Sequence, residues 1–256
     1  MPNAVPLDPG NNNCLLVGIS GPSSSGKTTL ARLLRDIYPN ASILHLDDFY
    51  KTDADIPVRS DNGLQDWDCL EAIDLPSLEE TLRFIRKEGV PPPAFVSKED
   101  KNSVGKVDVD QSKVQDLHWR ASQWMFADVP PICIIDGFLL YSEEMRAVRE
   151  LFDVKLFLRT DYATAKARRE RRTGYVTLEG FWEDPPGYVD KVVWPNYVQD
   201  HAFLFQDGDV NGELKEDVLE TLGIEAMPSD AQGNMTKCVE WACGVLDKAI
   251  EPKHEQ

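Results

Sequence analysis

An eight-residue string near the N-terminus has the residue types and spacing of a phosphate-binding loop. Gly-Pro-Ser-Ser-Ser-Gly-Lys-Thr at positions 21–28 matches the pattern G-x-x-x-x-G-K-[ST]. Glycines let the backbone turn so that successive N–H groups point at phosphate oxygens, and the N-terminus of a following helix attracts the same charge. In this pattern Lys27 reaches the β- and γ-phosphates and Thr28 ligates Mg²⁺. The string therefore predicts a nucleotide and Mg²⁺ site built from Gly21, Ser23, Ser24, Ser25, Gly26, Lys27, Thr28 and Thr29.

The elements predicted around this string distinguish it from an ordinary Gly/Ser turn. Residues 15–19 form a short, continuous apolar run, which is typical of a strand buried on both faces of a parallel sheet. A helix is predicted from Lys27 up to Pro39, because apolar residues recur at helical spacing at Leu30, Leu33, Leu34 and Ile37. A phosphate-binding loop needs this order of strand, loop and helix.

Two aspartates are predicted to end strands beside the phosphate-binding loop. Asp47 follows the apolar run 42–46, and Asp136 follows the run 132–135. Ligands of α/β sheets bind at the carboxyl ends of the strands, so both acids should face the nucleotide. One carboxylate there can orient and deprotonate an attacking hydroxyl group, and a second can hold Mg²⁺. A role in a turn or a cap is the alternative for either acid.

A cationic cluster contrasts with the acidic chain around it. Five of the seven residues 166–172 are Lys or Arg. On a helix predicted over 161–173, Arg168 and Arg172 share one face and Arg169 lies beside Arg172. Guanidinium groups placed in this way suit the oxygens of a transferring phosphoryl group. The alternative is that they complement the dipole at the C-terminal end of the helix.

Predicted strands and helices alternate along the whole chain. A capping box at Ser77 and Glu80 indicates a helix that Gly89 ends. A further buried strand is predicted at 154–158, and a closing helix at 236–250. The alternation predicts an α/β fold with a doubly wound, mainly parallel sheet and helices on both faces.

We predict one domain over residues 14–250, with flexible tails at 1–13 and 251–256. Residues 90–128 are predicted to be an insertion, whose highly charged part, 97–116, should be mobile. A lid region is predicted at 161–195, where an irregular loop from residue 176 onwards follows the Arg-rich helix.

Composition excludes several classes of partner. Asp plus Glu number 44 and Lys plus Arg 27, so the net charge is −17, which disfavours nucleic acids and anionic membranes as partners. The sequence has no apolar run of transmembrane length, and Met1–Asn13 has no signal-peptide pattern. The five cysteines include no C-x-x-C pair, which argues against a zinc site and for a reducing cytoplasm.

Other classes of nucleotide-binding protein fit the sequence less well. Guanine-nucleotide switches need an N-K-x-D segment, and the chain has none. The D-x-x-G string at 184–187 follows no predicted strand, so we expect it to be accidental. A small-molecule kinase and a nucleotide-binding protein without catalysis are the interpretations that stay open.

The motifs together resemble those of nicotinamide riboside kinases, in the uridine-kinase branch of the P-loop kinases. The resemblance covers residues 14–88 and 130–200. It is carried by the phosphate-binding loop and by the strings Leu46–Lys51, Leu64–Asp68, Ile135–Leu140, Pro186–Tyr188 and Val193–Pro195. It implies a P-loop kinase fold with an Arg-rich lid. It also implies transfer of the ATP γ-phosphate to the 5′-hydroxyl of nicotinamide riboside, with nicotinic acid riboside as a second substrate; uridine or cytidine kinase is the alternative.

The resemblance also implies roles for individual residues. Asp47 matches the general base that contacts the 5′-hydroxyl, and it joins Thr28 and Asp136 at the metal. Asp68 and Arg169 match the residues that hold the ribose diol.

Further matches fall at both ends of the implied site. Arg168 and Arg172 match lid arginines that face ATP. Tyr50, in the Asp-Asp-Phe-Tyr-Lys string, is placed among the substrate-binding residues. Trp67 and Tyr175 match an aromatic pair that sandwiches the pyridinium, and a cation over an aromatic face is favourable by about 0.5–2 kcal/mol.

Overall fold

The computed structural model describes residues 13–97, 107–123, 129–172, 174–177 and 180–251. Almost all of the predicted N-terminal tail, part of the predicted insertion and nearly all of the second tail therefore lie outside the described residues. The strands are β1 (Leu15–Ser20), β2 (Ala41–His45), β3 (Ile132–Asp136), β4 (Val154–Phe157), β5 (Tyr175–Val176), β6 (Phe181–Trp182) and β7 (Ile224–Ala226).

Eight α-helices lie in the described ranges: α1 (Lys27–Ile37), α2 (Leu75–Glu88), α3 (Gln111–Gln123), α4 (Arg146–Arg149), α5 (Tyr162–Arg169), α6 (Trp194–His201), α7 (Glu216–Leu222) and α8 (Met235–Ile250). A π-helical turn, Val189–Val193, leads into α6. Short 3₁₀ turns occur at Leu46–Phe49, Asp53–Asp55, Leu70–Ala72, Glu143–Met145, Ala202–Leu204, Gln206–Gly208 and Ser229–Ala231.

Five parallel strands form the main sheet in the order β2-β3-β1-β4-β7. All residues of β1 and β3 are buried, which explains their continuous apolar sequences. Because successive side chains on a strand point to opposite faces, Leu16 packs towards α2, α4 and α6, whereas Val17 packs towards α1, α3 and α8. The predicted α/β fold, with helices on both faces of a parallel sheet, is confirmed.

The helix after the phosphate-binding loop forms where its periodicity predicts it. Leu30, Leu34 and Ile37 are completely buried against the sheet, and Leu33 is partly buried. Gly26 adopts a left-handed conformation with φ of 103° just before α1, which directs the loop into the helix. The loop is thus fixed between β1 and α1.

Three other boundaries differ from the predictions. The N-cap of α2 is Asp74, whose carboxylate accepts from the Ser77 N–H at 3.2 Å, so the helix begins earlier than the Ser77 capping box implied. Helix α5 ends at Arg169 instead of residue 173, which agrees with the repulsion between like charges one turn apart. The segment predicted as mobile, 97–116, includes the start of α3, which packs against α1 and α8.

The predicted irregular loop 176–195 is more regular than its sequence suggested. Strands β5 and β6 form an antiparallel hairpin, in which Tyr175 pairs with Trp182. The π-helical turn and the start of α6 complete the segment. The predicted lid region is therefore an arginine-rich helix followed by a hairpin.

No helix in the described part of the chain combines the length and apolar character needed to cross a bilayer.

Candidate active site

A cavity of about 860 Å³, counted with its open mouth, lies at the carboxyl edge of β1, β2 and β3. Its walls come from the phosphate-binding loop, the segments after β2 and β3, and the lid. The lining residues are Ser23, Ser24, Gly26, Lys27, Thr28, Thr29, Asp47, Tyr50, Trp67, Asp68, Asp136, Gly137, Phe138, Arg169, Arg172, Tyr175, Thr177 and Trp182. The residues that sequence analysis associated with phosphate and with substrate therefore share one cavity.

The loop over residues 21–28 has a backbone that requires glycine. Gly21 has φ of 141°, and a Cβ on it would lie 2.4 Å from the carbonyl oxygen of Leu158. The ammonium group of Lys27 donates to the carbonyl oxygens of Gly21 at 3.0 Å and Pro22 at 2.9 Å. Burial lowers the pKa of Lys27 to about 8, against the opposing influence of Asp136 and Asp47. Lys27 is thus held at the centre of the loop by two backbone carbonyl groups.

A short hydrogen-bonded chain fixes Asp136 at the end of β3. Thr28 Oγ1 donates to Asp136 Oδ2 at 2.5 Å, and His45 Nδ1 lies 2.5 Å from Asp136 Oδ1. Burial favours the neutral acid, but the hydrogen bonds of His45 and Thr28, together with nearby positive charge, outweigh it and lower the pKa of Asp136. The result is an ionised carboxylate fixed beside the loop threonine.

Asp47 lies in the 3₁₀ turn Leu46–Phe49 that directly follows β2. Its half-buried carboxylate lines the cavity and is close enough to Lys27 to raise the pKa of that ammonium. The carboxyl end of β2 therefore places an acid next to the phosphate-binding loop.

Arg169, at the end of α5, is a buried junction of the cavity wall. Its guanidinium forms a bidentate pair with Asp68 at 2.7 and 2.9 Å, and its Nε donates to Asp184 at 2.7 Å. It also donates to Ser23 Oγ at 2.9 Å. Burial alone would lower the pKa of Arg169, but Asp68, Tyr175 and Asp184 raise it well above its usual value. One cation thus joins the phosphate-binding loop, the Asp68 segment and the lid.

Aromatic rings form the wall beyond this junction. Tyr50 meets Trp67 edge to face at a centroid distance of 5.3 Å, and Trp182 lies 5.5 Å from Trp67 at an interplanar angle of 43°. The Nε1–H of Trp182 donates to Asp184 at 2.9 Å, which fixes the orientation of this lid ring. The wall is suited to a flat ring, and the carboxylates that line the same cavity suit a ring that carries positive charge.

No protein-family model matches the chain. It is 39% identical over 241 residues to a nicotinamide riboside kinase of Schizosaccharomyces pombe, which covers 93% of this chain and 98% of the relative. The nicotinamide riboside kinase of Eremothecium gossypii is 40% identical, covering 80% of this chain and 83% of the relative. That of Saccharomyces cerevisiae is 34% identical, covering 90% and 94%. The chain belongs to the nicotinamide riboside kinase family.

Most of the residues predicted for a nicotinamide riboside kinase site line the cavity. Of the predicted residues, Gly21, Ser25 and Arg168 lie outside the lining that the described residues form. Gly21 turns the loop, and the Ser25 N–H donates to the Pro22 carbonyl at 3.2 Å. Arg168 is exposed and donates to the Ser24 carbonyl at 3.3 Å.

One prediction about the lid of this kinase is changed by the structure, and the pairing of Tyr175 with Trp67 around the substrate ring stays a prediction. Arg168 and Arg172 do not share a helical face, because α5 ends before Arg172. Tyr175 lines the cavity, but its ring lies 5.2 Å from the guanidinium carbon of Arg169 and 5.4 Å from that of Arg172. The lid ring in contact with Trp67 is Trp182.

Sequence analysis missed several residues of the site, among them Asp184, Trp182 and His45. Asp184 belongs to the D-x-x-G string at 184–187, which sequence analysis interpreted as accidental. The signal that could have found it is an acid just before Tyr188, available to pair with the lid arginines. Trp182 gave only the signal of an aromatic residue in the lid. His45 is the register partner of Asp136 across β2 and β3, a relation that only the sheet order reveals.

A Cβ at Gly21 would collide with the Leu158 carbonyl oxygen and strain the backbone of the loop. We expect Gly21→Ala to weaken ATP binding at least about tenfold, the factor that corresponds to backbone strain of this kind. Isothermal titration calorimetry with ATP measures this. Gly244→Ala in α8 is the matched control, since no described atom beyond the neighbouring helix backbone and chain neighbours lies within 4 Å of its Cβ position. Equal ATP affinity in both variants would contradict the assigned loop geometry.

Proposed function

We propose that this protein transfers the γ-phosphoryl group of ATP to the 5′-hydroxyl group of nicotinamide riboside, which yields the mononucleotide for NAD synthesis. The observation that carries the proposal is that one cavity joins a phosphate-binding loop to the Asp68–Arg169 pair and a wall of aromatic rings. The names of the curated relatives support the same acceptor. They favour it over uridine or cytidine, the alternative acceptors.

The loop end of the cavity is assigned to the triphosphate of ATP. Lys27 supplies a buried ammonium, and Arg172 adds a guanidinium at the lid side. Arg168, which contacts the Ser24 carbonyl from outside, is close enough to add positive potential to the loop. These charges stabilise the extra negative charge that develops on the transferring group and the leaving ADP.

Asp68 and Arg169 are assigned to the ribose diol. A carboxylate accepts hydrogen bonds from hydroxyl groups, and a guanidinium donates to their oxygens, so the pair can bind both hydroxyls together. Their bidentate contact sets the two groups in one plane before the sugar binds. This would hold the 5′-hydroxyl in a single direction along the cavity.

The pyridinium ring is assigned to the space beside Trp67, Trp182 and Tyr50. A cation against aromatic faces is stabilised, and the negative charge of the whole protein attracts it further. The same wall can hold the ring of nicotinic acid riboside, which we propose as a second substrate.

Asp47 is assigned as the general base. Its position beside Lys27, directly after β2, allows it to accept the proton of the 5′-hydroxyl as that oxygen attacks the γ-phosphorus. The new bond joins O5′ to the γ-phosphorus, the bond from the γ-phosphorus to the bridging oxygen of ADP breaks, and the proton remains on Asp47. Lys27 and Arg172 hold the phosphates in line with the acceptor.

The residues around Thr28 fit Mg²⁺, which prefers oxygen ligands and keeps several water ligands. Thr28 and the ionised Asp136 present hydroxyl and carboxylate oxygens 2.5 Å apart, and Asp47 lies on the same edge. The described residues contain no group of three or more His, Cys, Asp or Glu side chains that could hold a metal. The ion, held by Thr28, Asp136 and Asp47, would need phosphate oxygens to complete its shell, and it would neutralise charge on them.

All five cysteines are free thiols. This supports our proposal that the enzyme works in the reducing cytoplasm.

A direct test is to offer labelled ATP with nicotinamide riboside, nicotinic acid riboside, uridine or cytidine. We expect both pyridine ribosides to be phosphorylated, with kcat/KM for nicotinamide riboside at least about tenfold above that for either pyrimidine nucleoside, because only the pyridine nucleoside carries a cation to the aromatic wall. Faster turnover of uridine or cytidine would replace the proposal with its alternative.

Asp47→Asn should lower kcat for nicotinamide riboside by about 10² or more, because the variant cannot accept the proton. ATP should still bind. Asp48→Asn serves as the neighbouring control, since Asp48 lies in the same turn but outside the cavity lining formed by described residues. Undiminished kcat in Asp47→Asn would remove this carboxylate from the mechanism.

Trp182→Leu should raise KM for nicotinamide riboside by about threefold to thirtyfold, the equivalent of a lost cation–π contact, while KM for ATP stays the same. Trp119→Leu is the control, since Trp119 is 67% exposed on α3 and lies outside the cavity lining. Steady-state kinetics with each substrate varied in turn supply both constants. A parallel rise in both KM values would assign Trp182 a purely structural role.

A further inference from the structure

A polar cluster with two buried members contacts the backbone of Asp68. Its members are Arg59, Asp66 and Asn196, which come from three separate parts of the chain. Asn196 belongs to α6 and is 8% exposed, and Asp66 is 5% exposed. Neither residue lines the cavity that the described residues form, so the cluster acts on it through Asp68.

Both polar atoms of the Asn196 amide group form hydrogen bonds in this cluster. Its nitrogen donates to both carboxylate oxygens of Asp66, at 2.8 and 3.0 Å, and to the carbonyl oxygen of Asp68 at 3.0 Å. Its oxygen accepts from Arg59 Nη1 at 2.8 Å. An amide offers two N–H donors and one acceptor oxygen, and these partners engage both the nitrogen and the oxygen.

Asp66 extends the same cluster to the backbone of the segment. Its Oδ1 accepts from the Asp68 N–H at 3.1 Å, and its Oδ2 accepts from Arg59 at 3.1 Å. Both the N–H and the carbonyl group of Asp68 are therefore fixed by side chains of the cluster. The backbone of Asp68 in turn decides where its carboxylate meets Arg169.

The neighbouring residue is held from the same side. The Trp67 N–H donates to the hydroxyl group of Tyr188 at 3.0 Å, and that hydroxyl donates to the Gln65 carbonyl at 2.9 Å. Tyr188 immediately precedes the π-helical turn that leads into α6. The segment that supplies Trp67 and Asp68 is thus positioned by the region of α6.

We propose that Asn196 is a positioning residue that sets the affinity for the nucleoside by holding Asp66 and the backbone of Asp68 against Arg169. The inference rests on the proposed function, in which Asp68 binds the ribose diol. Asn196 lies outside the cavity lining that the described residues form and contacts the Asp68 backbone, so its effect should appear at the nucleoside and leave the ATP end unchanged.

Asn196→Asp tests this with almost no change of shape. The substitution puts a carboxylate oxygen in place of the amide nitrogen, opposite three acceptor oxygens at 2.8 to 3.0 Å. Because Asn196→Asp loses hydrogen bonds to the charged Asp66 carboxylate, we expect KM for nicotinamide riboside to rise at least about tenfold. KM for ATP should stay within about twofold of wild type. Gln199→Glu adds the same charge at an exposed position of α6 and should leave both constants unchanged.

Exchanging the Asp66 carboxylate and the Asn196 amide provides a rescue experiment for nucleoside binding. Asp66→Asn combined with Asn196→Asp restores one amide opposite one carboxylate and keeps a carboxylate for Arg59. KM for nicotinamide riboside in the double variant should fall well below that of Asn196→Asp, because the amide–carboxylate pair is restored, but it should stay above wild type, because the contact with the Asp68 carbonyl and one of the two acceptor positions of residue 66 stay lost.

The outcomes separate this inference from the proposed function. Wild-type protein that fails to phosphorylate nicotinamide riboside overturns the proposed function and this inference with it. Wild-type turnover with an unchanged nucleoside KM in Asn196→Asp overturns the inference alone, as does an equal rise in both KM values. A double variant no better than Asn196→Asp also contradicts it.

Discussion

The rest of the site depends on the contacts of the buried guanidinium group of Arg169. It contacts the phosphate-binding loop through Ser23, the nucleoside side through Asp68 and the lid through Asp184. Burying a cation is costly unless it is paired, and removal of one partner leaves an uncompensated charge. Arg169 therefore requires these three walls of the cavity to be in place together. The aromatic ring of Trp182 depends on the same arrangement, because its N–H binds Asp184.

The charge of the site is arranged differently from that of the whole chain. The protein carries a net charge of −17, whereas the cavity lining has three carboxylates, Asp47, Asp68 and Asp136, and three cations, Lys27, Arg169 and Arg172. A triphosphate needs local cations that overcome the overall negative field, and a pyridinium nucleoside is attracted by that field. A cavity with balanced charges inside an acidic protein thus suits a donor and an acceptor of opposite sign.

Sequence analysis succeeded where the signal was local and failed where it depended on distant contacts. The phosphate-binding loop and α1 were predicted because one string fixes both the backbone and the start of the helix. The hairpin of β5 and β6 was missed because each strand has only two residues. The role of Asp184 could not be recognised, because it depends on an ion pair with Arg169, which lies at the end of α5. The cap of α2 was misplaced because Asp74 competes with Ser77 for the same end of the helix.

The contacts of Lys27 have a consequence for how a nucleotide enters. Its ammonium already donates to the carbonyls of Gly21 and Pro22, so the loop is shaped before any phosphate arrives. When Lys27 donates to a phosphate oxygen, it would exchange one acceptor for another. The net gain in free energy is then the difference between the hydrogen bond to phosphate and the hydrogen bond to the carbonyl group. A preorganised loop of this kind loses little conformational entropy on association, which favours binding of the donor.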